Sequence, residues 1–597
     1  MAFGWSTFLA INMVHYRSFV WAPLIAWAAV KMARGNYTIA PVLIAVGAII
    51  CSITAGNPQG SFFDLMTACV FFVAESVVSG RFQWRANLIF LLSLLAGVLI
   101  AAPSVIPYVV SKGQGLLLSV ESPDRSAIAI SFPWLLGWVI QYINGTTSGW
   151  YRQTSFSGDD YAVFAAHPLF IYFLLVGMFI IVCDRTANRR KEILFLILLG
   201  AGFTSLINTT IFSPFRDILA HIPFVNTLRY PKYIHHIHLF FAASAAIAVA
   251  LALESPLKIR RRCAVLAFIA FSLIVGAIVH FNVTDPAWQF NSQRLDQLLM
   301  IWGGSILAVL AGLYVLLASK NSPKWKLLFG LMLIVSLLIK PYGFAKAYAK
   351  HTPFPVEGLD LSQERILSNA DHANSNLLRN YEQIGVFDPI LNKEFTLLMV
   401  ENFRVFLGVL HNQVMPDVIL NSRQIDILRL IGVTSIYNHK VETGANITQL
   451  SPEFMKVNDP LPKVFLVNST QSINTACEQR DYTKAIAAIQ AATISKPLSF
   501  RKGVNDLFFE LDRAGQGTLV SLQAFSLGWQ FKGAAASKFC RAFNAWQGEF
   551  RAGTVYQLTY VPPGLRMSYG VALVGILLML VAVKLSNHRT VKSEKSS

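Results

Sequence analysis

The chain has 597 residues, of which 54% are hydrophobic and only 14% are charged. The mean hydropathy of +0.50 and the long apolar runs exclude an ordinary soluble protein. The net charge of +18 fits the surplus Lys and Arg of cytoplasmic membrane loops, and no basic low-complexity tract or aromatic-basic ribbon suggests a nucleic-acid partner.

Eleven apolar runs are candidates for membrane-spanning helices, since crossing the hydrocarbon core takes about 20 residues. In chain order they lie near 17–33, 38–55, 61–79, 86–108, 164–183, 193–210, 234–254, 263–281, 298–318, 327–345 and 569–586. The sequence therefore predicts a polytopic α-helical membrane protein with about eleven transmembrane helices, and a β-rich or α+β exoplasmic domain before the last helix. The lipid bilayer is its first expected partner.

Charge sorts the loops between these runs into two classes. Every second loop is basic, as in DRTANRRK (184–191) and SPLKIRRR (255–262), and the chain closes on a basic tail. Because cytoplasmic loops are enriched in Lys and Arg, the basic loops are predicted to be cytoplasmic. The remaining loops, including the basic segment NTLRYPKYIHH (226–236), are then exoplasmic.

Three regions follow from this topology. Residues 1–345 form the transmembrane domain, 346–566 form the exoplasmic domain, and 567–597 form the final helix with its cytoplasmic tail. Within the exoplasmic domain, SQERILSNADHANSNLLRNYEQIG (362–385) is predicted to be helical. The predicted strands are VTSIY (433–437), KVFLVN (463–468), DLFFELD (506–512), GTLVSLQAF (517–525) and TVYQLTYVP (554–562). Cys477 and Cys540 also lie there, and an oxidising compartment would allow them to pair.

Several segments together resemble the YfhO-type family of bacterial membrane proteins, in the family's order. They are AGNPQGSFFDLMTACVFF (55–72), RYPKYIHHIHLFFAASAAIAVALALE (229–254), IDILRLIGVTSIYNHK (425–440), LPKVFLVN (461–468), LVSLQAFSLGWQFKG (519–533) and FRAGTVYQLTYVPPGLRMSYGVALVG (550–575). The resemblance implies a GT-C-like glycosyltransferase that takes a sugar from a polyprenyl-phosphate lipid at the outer face of the membrane. Its acceptor would be a glycan, lipid or protein of the cell envelope.

The resemblance also implies a location and further partners. The protein would be a multi-pass protein of the bacterial inner membrane, with its large domain exoplasmic, and a separate glycosyltransferase could load the lipid donor. This chain begins inside the family pattern. We therefore expect the family's N-terminal helices, and the catalytic carboxylate of its first exoplasmic loop, to be absent from it.

A basic cluster opens the run at 234–254 and is a candidate site for lipid phosphate. Arg229, Lys232, His235 and His236 lie at the start of the predicted helix, where backbone N–H groups also favour anions. The alternative is ordinary contact with phospholipid headgroups. Arg216 could join this site, or could instead form a local salt bridge with the neighbouring acid.

Two polar segments supply candidates for sugar and acceptor binding. Trp150 and Tyr151 suit stacking on a sugar ring, and Asp159 and Asp160 are candidate general bases for an acceptor hydroxyl. The same residues also suit an interfacial aromatic belt followed by a helix N-cap. Asp64 lies inside an apolar run, where an acid is a functional candidate or faces a water-filled cavity.

The residues predict no metal site and require no cofactor, although the need for a divalent cation stays open. His235 and His238 have no carboxylate or thiol beside them in sequence to complete a zinc site. The alternative function is a non-catalytic scaffold, or a transporter or flippase subunit for envelope polysaccharide. An exoplasmic acid after an additional upstream helix would favour the enzyme.

Overall fold

A computed structural model describes the chain as a series of ranges separated by gaps. The described residues are 17–36, 38–55, 58–80, 83–111, 115–117, 151–152, 168–184, 186–208, 234–284, 289–290, 295–318, 365–368, 382–384, 390–392, 398, 402–403, 419–437, 440–442, 446–451, 454–502, 505–526 and 528–587. They divide into two units. The helical unit falls within Met1–Val105, Asp124–Pro353 and Tyr569–Ser597, and the strand-rich unit within Ile106–Pro123 and Phe354–Ser568.

The helical unit is a bundle of apolar helices. Its elements are a 3₁₀ turn Arg17–Trp21, α1 Ala22–Ala33, α2 Ile39–Thr54, α3 Pro58–Ser79, α4 Trp84–Ile100, α5 Ala102–Ser111, α6 Pro168–Cys183, α7 Arg189–Asn208, α8 Ile234–Glu254, α9 Leu257–Thr284, α10 Leu295–Leu317 and α14 Leu565–Asn587. The boundary between the two units falls within α5 and again within α14. A two-stranded pair joins β2 Tyr151–Arg152 to β3 Gln289–Phe290. Close contacts at small residues hold the helices together. A Cβ on Gly177 of α6 would lie 2.7 Å from Ala248 Cβ of α8.

One end of this bundle is basic. Glu75 near the end of α3 accepts hydrogen bonds from Arg34 Nε at 2.9 Å and from Arg190 Nη2 at 3.2 Å. Lys191 of α7 pairs with Glu254 at the end of α8. Short connections place the starts of α4 and α9 at the same end, because α4 begins five residues after α3 ends and α9 begins three residues after α8 ends.

Arginines at the basic end also bond the last carbonyl groups of neighbouring helices. Arg260 Nη2 donates to Ala318 O at 2.7 Å, just past the end of α10. Arg85 donates to Leu585 O near the end of α14. Cations at helix C-termini satisfy carbonyls that have no partner within the helix and are favoured by the helix dipole.

In its described residues, the strand-rich unit has three five-stranded sheets and three helices. The strands are β1 Gly115–Leu117, β4 Arg365–Ser368, β5 Glu382–Ile384, β6 Ile390–Asn392, β7 Ser435–Tyr437, β8 Ile447–Gln449, β9 Phe454–Val457, β10 Val464–Val467, β11 Thr493–Ser495, β12 Pro497–Lys502, β13 Asp506–Leu511, β14 Gly515–Ala524, β15 Trp529–Phe531, β16 Ala534–Ala535, β17 Ser537–Phe539, β18 Phe543–Phe550 and β19 Val555–Tyr560. The helices are α11 Ser422–Leu430, α12 Gln471–Glu478 and α13 Tyr482–Ala492. The small pair β1–β6 is antiparallel.

Sheet order explains where the cores of this unit lie. The first sheet is β5-β4-β7-β9-β8, with β4 parallel to both neighbours. The other two sheets are β11-β10-β14-β18-β17 and β12-β13-β19-β15-β16. Val464 and Leu466 of β10 share a hydrophobic cluster with β13 and β19, while Phe465 and Val467 share one with α12 and α13. The middle sheet is therefore covered by helices on one face and by a second sheet on the other.

The prediction of about eleven transmembrane helices is wrong. In the part of the chain that the structure describes, three helices are long and apolar enough to cross a membrane, at Gly60–Ser79, His236–Glu254 and Leu565–Ser586. Five further apolar helices have only 10–17 residues, fewer than the roughly 20 that the hydrocarbon core requires.

Two further predictions of helices are wrong. The run read as one helix over 86–108 is divided at Ala101 into α4 and α5, where α5 carries Pro103 near its start and Pro107 inside. The helix predicted over 362–385 is also wrong, because β4 and β5 lie there as parallel strands. The run predicted at 327–345 lies outside the described residues. The five strand-like runs coincide with β7, β10, β13, β14 and β19.

Candidate functional site

Among the described residues of the helical unit, Ser52, Asp64 and His236 form a buried polar cluster. Ser52 lies in the last turn of α2, Asp64 in the second turn of α3, and His236 in the first turn of α8. The exposed fraction is 1% for Ser52 and Asp64 and 0% for His236. The cluster thus joins three helices at the end of the bundle opposite the basic end.

Asp64 is the centre of the cluster. Ser52 Oγ donates to Asp64 Oδ2 at 2.5 Å, and His236 Nε2 lies 2.7 Å from Asp64 Oδ1. The Asp64 carboxyl group thus bonds a hydroxyl group through one oxygen and an imidazole nitrogen through the other. The second bond fixes the orientation of the imidazole.

Aromatic rings enclose the imidazole. The Phe19 ring meets the His236 ring edge-on, with centroids 4.7 Å apart, and the Phe63 centroid lies 5.8 Å away. Further along the same two helices, Phe71 of α3 stacks on Phe240 of α8 at 5.5 Å. The bond between Asp64 and His236 and the stack of Phe71 on Phe240 therefore both join α3 to α8.

The arrangement excludes one familiar chemistry at this cluster. A nucleophilic serine is hydrogen-bonded to the histidine that takes its proton, and the carboxylate orients that histidine from the other side. Here the Ser52 hydroxyl donates to the carboxylate instead. The cluster is thus not a Ser-His-Asp triad, and what it can do is hold the first turn of α8 in place against α3.

A second polar site at the basic end is structural. Thr186 Oγ1 donates to Asp184 Oδ1 at 2.6 Å, and the backbone N–H of Thr186 donates to the same oxygen at 3.0 Å. Hydrogen bonds from the hydroxyl groups of Ser255 and Thr186 hold the pKa of Asp184 below its usual value. An ionised acid that accepts a backbone N–H two residues ahead stabilises the turn between α6 and α7.

The sequence-predicted site residues divide into three groups. Asp64 and His236 were assigned to different sites and are now hydrogen-bonded partners. His235 lies in α8 and Tyr151 in β2, and only the backbone of these two residues is described. Six candidates lie outside the described residues: Trp150, Asp159, Asp160, Arg216, Arg229 and Lys232.

Cys477 and Cys540 form a disulfide in the strand-rich unit, with their Cα atoms 5.3 Å apart. The bond joins α12 to the turn after β17. Within the described ranges, no three His, Cys, Asp or Glu side chains are grouped as metal ligands are.

Ser52 is the member of the cluster that sequence reasoning missed. A signal was present, because Ser52 and Asp64 lie on either side of the predicted GNPQG turn, each about one helical turn inside an apolar run. His236 lies equally close to the start of its run. The three polar side chains therefore share a predicted depth and a predicted side of the membrane, but the sequence does not show which helices are neighbours.

Comparison of the chain with protein-family models, with curated proteins and with solved structures gave no match.

Proposed function

We propose that this protein is a membrane-bound glycosyltransferase that uses a polyprenyl-phosphate-linked sugar to modify a component of the bacterial cell envelope. The observation that carries the proposal is the buried hydrogen bond between Asp64 and His236. It joins two of the three helices that, among the described residues, are long and apolar enough to cross a membrane. A buried acid within such a helix is costly in lipid and is therefore a mark of function.

The pair is close in sequence to the predicted phosphate site. Lys232 precedes His236 by four residues, and Arg229 precedes it by seven. By holding the first turn of α8 against α3, Asp64 would fix the point from which these two cations reach a lipid phosphate. Since the pair itself is buried, we assign it a positioning role rather than direct contact with substrate.

The proposed reaction needs a base and an anion site. A carboxylate, for which Asp159 and Asp160 are the candidates, takes the proton of the acceptor hydroxyl as that oxygen attacks the anomeric carbon. The bond between this carbon and the phosphate oxygen breaks, and its electron pair leaves with polyprenyl phosphate. Arg229 and Lys232 stabilise the charge that develops on the leaving phosphate.

Orientation supports the outer face as the place of reaction. The basic end of the bundle fits the cytoplasmic side of a membrane, and the Asp64 cluster lies at the other end. The chain enters α14 at Leu565 and reaches the basic end at Asn587. The segment before α14 is then expected outside, where an oxidising compartment would keep the disulfide intact.

Labelling tests this orientation. In a background with the four free cysteines replaced by alanine, Lys496→Cys in the strand-rich unit should react with a membrane-impermeant maleimide in intact cells. Lys258→Cys at the basic end should react only after permeabilisation. The reverse pattern would place the strand-rich unit in the cytoplasm and contradict the proposal.

Transfer is tested with the full chain in lipid nanodiscs. The donors are polyprenyl phosphates carrying radiolabelled glucose, galactose, mannose or N-acetylglucosamine, and the acceptors are envelope fractions from a deletion strain. We expect label in the acceptor and release of polyprenyl phosphate. His236→Gln should raise KM for the donor about tenfold with a smaller change in kcat, which corresponds to about 1.4 kcal/mol of binding.

His238→Gln is the matched control. His238 is also buried, but it lies two residues further along α8 and therefore on a different face of the helix. Its loss should leave KM for the donor near the wild-type value. If the wild-type protein transfers none of the four sugars while binding envelope glycan normally, the enzyme proposal fails and the scaffold alternative stands.

A further inference from the structure

The strand-rich unit contains a cleft of about 500 Å³. It lies between α12 and the edge strands β16 and β17, each of which is the last strand of its five-stranded sheet. This volume is within the range of about 300–1,000 Å³ that small-molecule sites occupy. The cleft is formed by the strand-rich unit alone, far in sequence from the Asp64 cluster.

The lining of the cleft suits a ligand with many hydroxyl groups. It includes the hydroxyls of Thr470, Thr518 and Ser537 and the amides of Asn474 and Gln547. Hydroxyl and amide groups both donate and accept hydrogen bonds, as the hydroxyls of a sugar also do. Buried aromatic side chains lie behind this polar surface and supply an apolar wall: Phe531, Phe539 and Trp546.

Two lysines give the cleft a positive charge. Lys532 and Lys538 both line it and both are exposed, whereas Glu549 is the one acid among the lining residues. Lys532 Nζ lies 5.3 Å from the centroid of the Phe531 ring, and Lys538 Nζ lies 5.2 Å from that of Phe525. Phe531 lines the cleft, so its ring holds the Lys532 amine there, and the contact with Phe525 limits the freedom of the Lys538 amine.

The backbone around the cleft is fixed in unusual conformations. Of the five described non-glycine residues with positive φ, three belong to the two turns beside the cleft: Lys532, Cys540 and Arg541. With Gly533 at φ +80°, Lys532 forms the two-residue turn between β15 and β16. Such conformations cost energy and are concentrated at binding and catalytic sites.

Covalent and polar links also hold the walls together. The disulfide joins α12 to the turn after β17, and the backbone N–H of Cys540 donates to Asn474 Oδ1 at 3.0 Å. On the other side, Trp546 Nε1 donates to Ala534 O at 3.1 Å. A site held in one shape loses little freedom when a ligand binds.

We infer that this cleft binds a short segment of an anionic glycan, a chain of polyols or sugars that carries phosphate or carboxylate groups. Lys532 and Lys538 contact the anionic groups, and the hydroxyl and amide side chains bond the sugar or polyol. The inference deepens the proposed function by naming the chemical class of the acceptor, and that role rests on the proposed function. Binding itself is independent of transfer.

Calorimetry of the full chain in detergent tests the inference. The probes are trigalacturonate for carboxylate, tri(glycerol phosphate) for phosphate, and maltotriose as the neutral oligosaccharide, all at one salt concentration. We expect one or both anionic probes to bind more tightly than maltotriose, and the tighter of the two identifies the acidic group.

Variants locate the binding in the cleft. The double change Lys532→Gln and Lys538→Gln should raise the Kd for the anionic probe on the order of tenfold or more. Ala535→Trp, which fills the cleft from an exposed position on β16, should abolish binding while the unfolding midpoint stays unchanged. Lys496→Gln removes an exposed lysine of the same unit outside the cleft and should change the Kd less than twofold.

Three results would overturn the inference. The first is equal binding of maltotriose and the anionic probes. The second is equal weakening by Lys496→Gln, which would mean non-specific attraction. The third is tighter binding of an acidic peptide than of either anionic oligosaccharide, which would make the cleft a peptide site. Loss of sugar transfer with intact probe binding would instead refute the proposed function and leave the binding site standing.

Discussion

The helical unit and the strand-rich unit differ in where their apolar side chains lie. Along α14, Leu573, Leu577 and Leu580 are exposed, although they lie in the apolar middle of the helix. Along β13, buried and half-buried residues alternate, as expected for a strand between a core and water. The exposed leucines give the helical unit an outer surface that is suited to lipid. The strand-rich unit instead buries its apolar side chains in an ordinary core.

The buried ionisable side chains also have different partners in the two units. In the helical unit the buried acids Asp64 and Glu75 are paired with cationic side chains or histidine, one near each end of α3. In the strand-rich unit the buried Arg365 donates to backbone carbonyl groups, those of Ile431 and Leu522. The first kind of pairing joins helices, while the second connects the first sheet to the neighbouring sandwich.

The largest expected effect comes from the core of the strand-rich unit. Phe465 of β10 is fully buried, so Phe465→Ala should lower the free energy of unfolding by about 3–5 kcal/mol through lost transfer energy and a cavity. Leu498→Ala, at a residue 69% exposed, should change it by less than about 0.5 kcal/mol. Chemical unfolding of the purified full chain, followed by tryptophan fluorescence, measures both. Similar losses at the two positions would contradict the assignment of the core.

The next effect tests whether the exposed apolar face of α14 meets lipid. Leu577 is 54% exposed near the middle of the candidate span. Leu577→Lys should oppose membrane insertion by about 2.5–3.5 kcal/mol, because a cation at the centre of a span is costly in hydrocarbon. The measurement is the fraction of protein that remains in membranes after alkaline carbonate extraction.

Leu498→Lys is the matched control for this change. It introduces the same charge at an exposed leucine of the strand-rich unit, where water would solvate it. We expect normal membrane retention. Equal retention of the two lysine variants would mean that the α14 face lies in water, and the contrast between the two units would be lost.

A smaller effect is expected at the Asp64 cluster. Ser52→Ala removes one of the two hydrogen bonds to a buried carboxyl group and should cost about 1–3 kcal/mol. Ser272→Ala is the control, because Ser272 Oγ donates only to Phe268 O of its own helix at an exposed position. Thermal unfolding in nanodiscs compares the two. Equal midpoints would show that the Ser52 bond adds nothing to the stability of the cluster.

The sequence predicted strands better than it predicted spans. Alternation of apolar residues located β13, β14 and β19, and a short apolar run located β10, because each of these strands has a core on at least one face. Counting apolar residues overestimated the number of membrane spans, because a run of apolar residues does not show where a helix ends. The Ala101 break within a run of apolar letters is one example.

The candidate site shows a different limit of sequence reasoning. Asp64 and His236 are separated by 172 positions, so their individual prominence could be recognised but not their pairing. Pairing depends on which helices are neighbours, and a single sequence contains no direct signal for this. The cleft beside α12 was missed for the same reason, because its lining comes from five strands and one helix.

The smallest expected effect concerns Asp512, at the end of β13. Ser495 Oγ donates to Asp512 Oδ1 at 2.7 Å, and the backbone N–H of Lys496 donates to the same oxygen at 2.9 Å. The hydrogen bond from Ser495, followed by that from Lys496, lowers the pKa of Asp512 below its usual value. These bonds favour the ionised form in the folded chain over the same form in the unfolded chain.

The sign of the pH effect follows from this lowered pKa. Stability from Asp512 is present above the unfolded pKa of about 3.9 and is lost as the pH falls through the lower folded pKa. Asp512→Asn should therefore lower the unfolding midpoint slightly at pH 7, and the difference from wild type should disappear at a pH below the folded value. Ser495→Ala should reproduce most of this pH dependence and add little to Asp512→Asn. A difference that persists unchanged in acid would instead assign the effect of the asparagine to packing, and Asp512 would then contribute nothing through its charge.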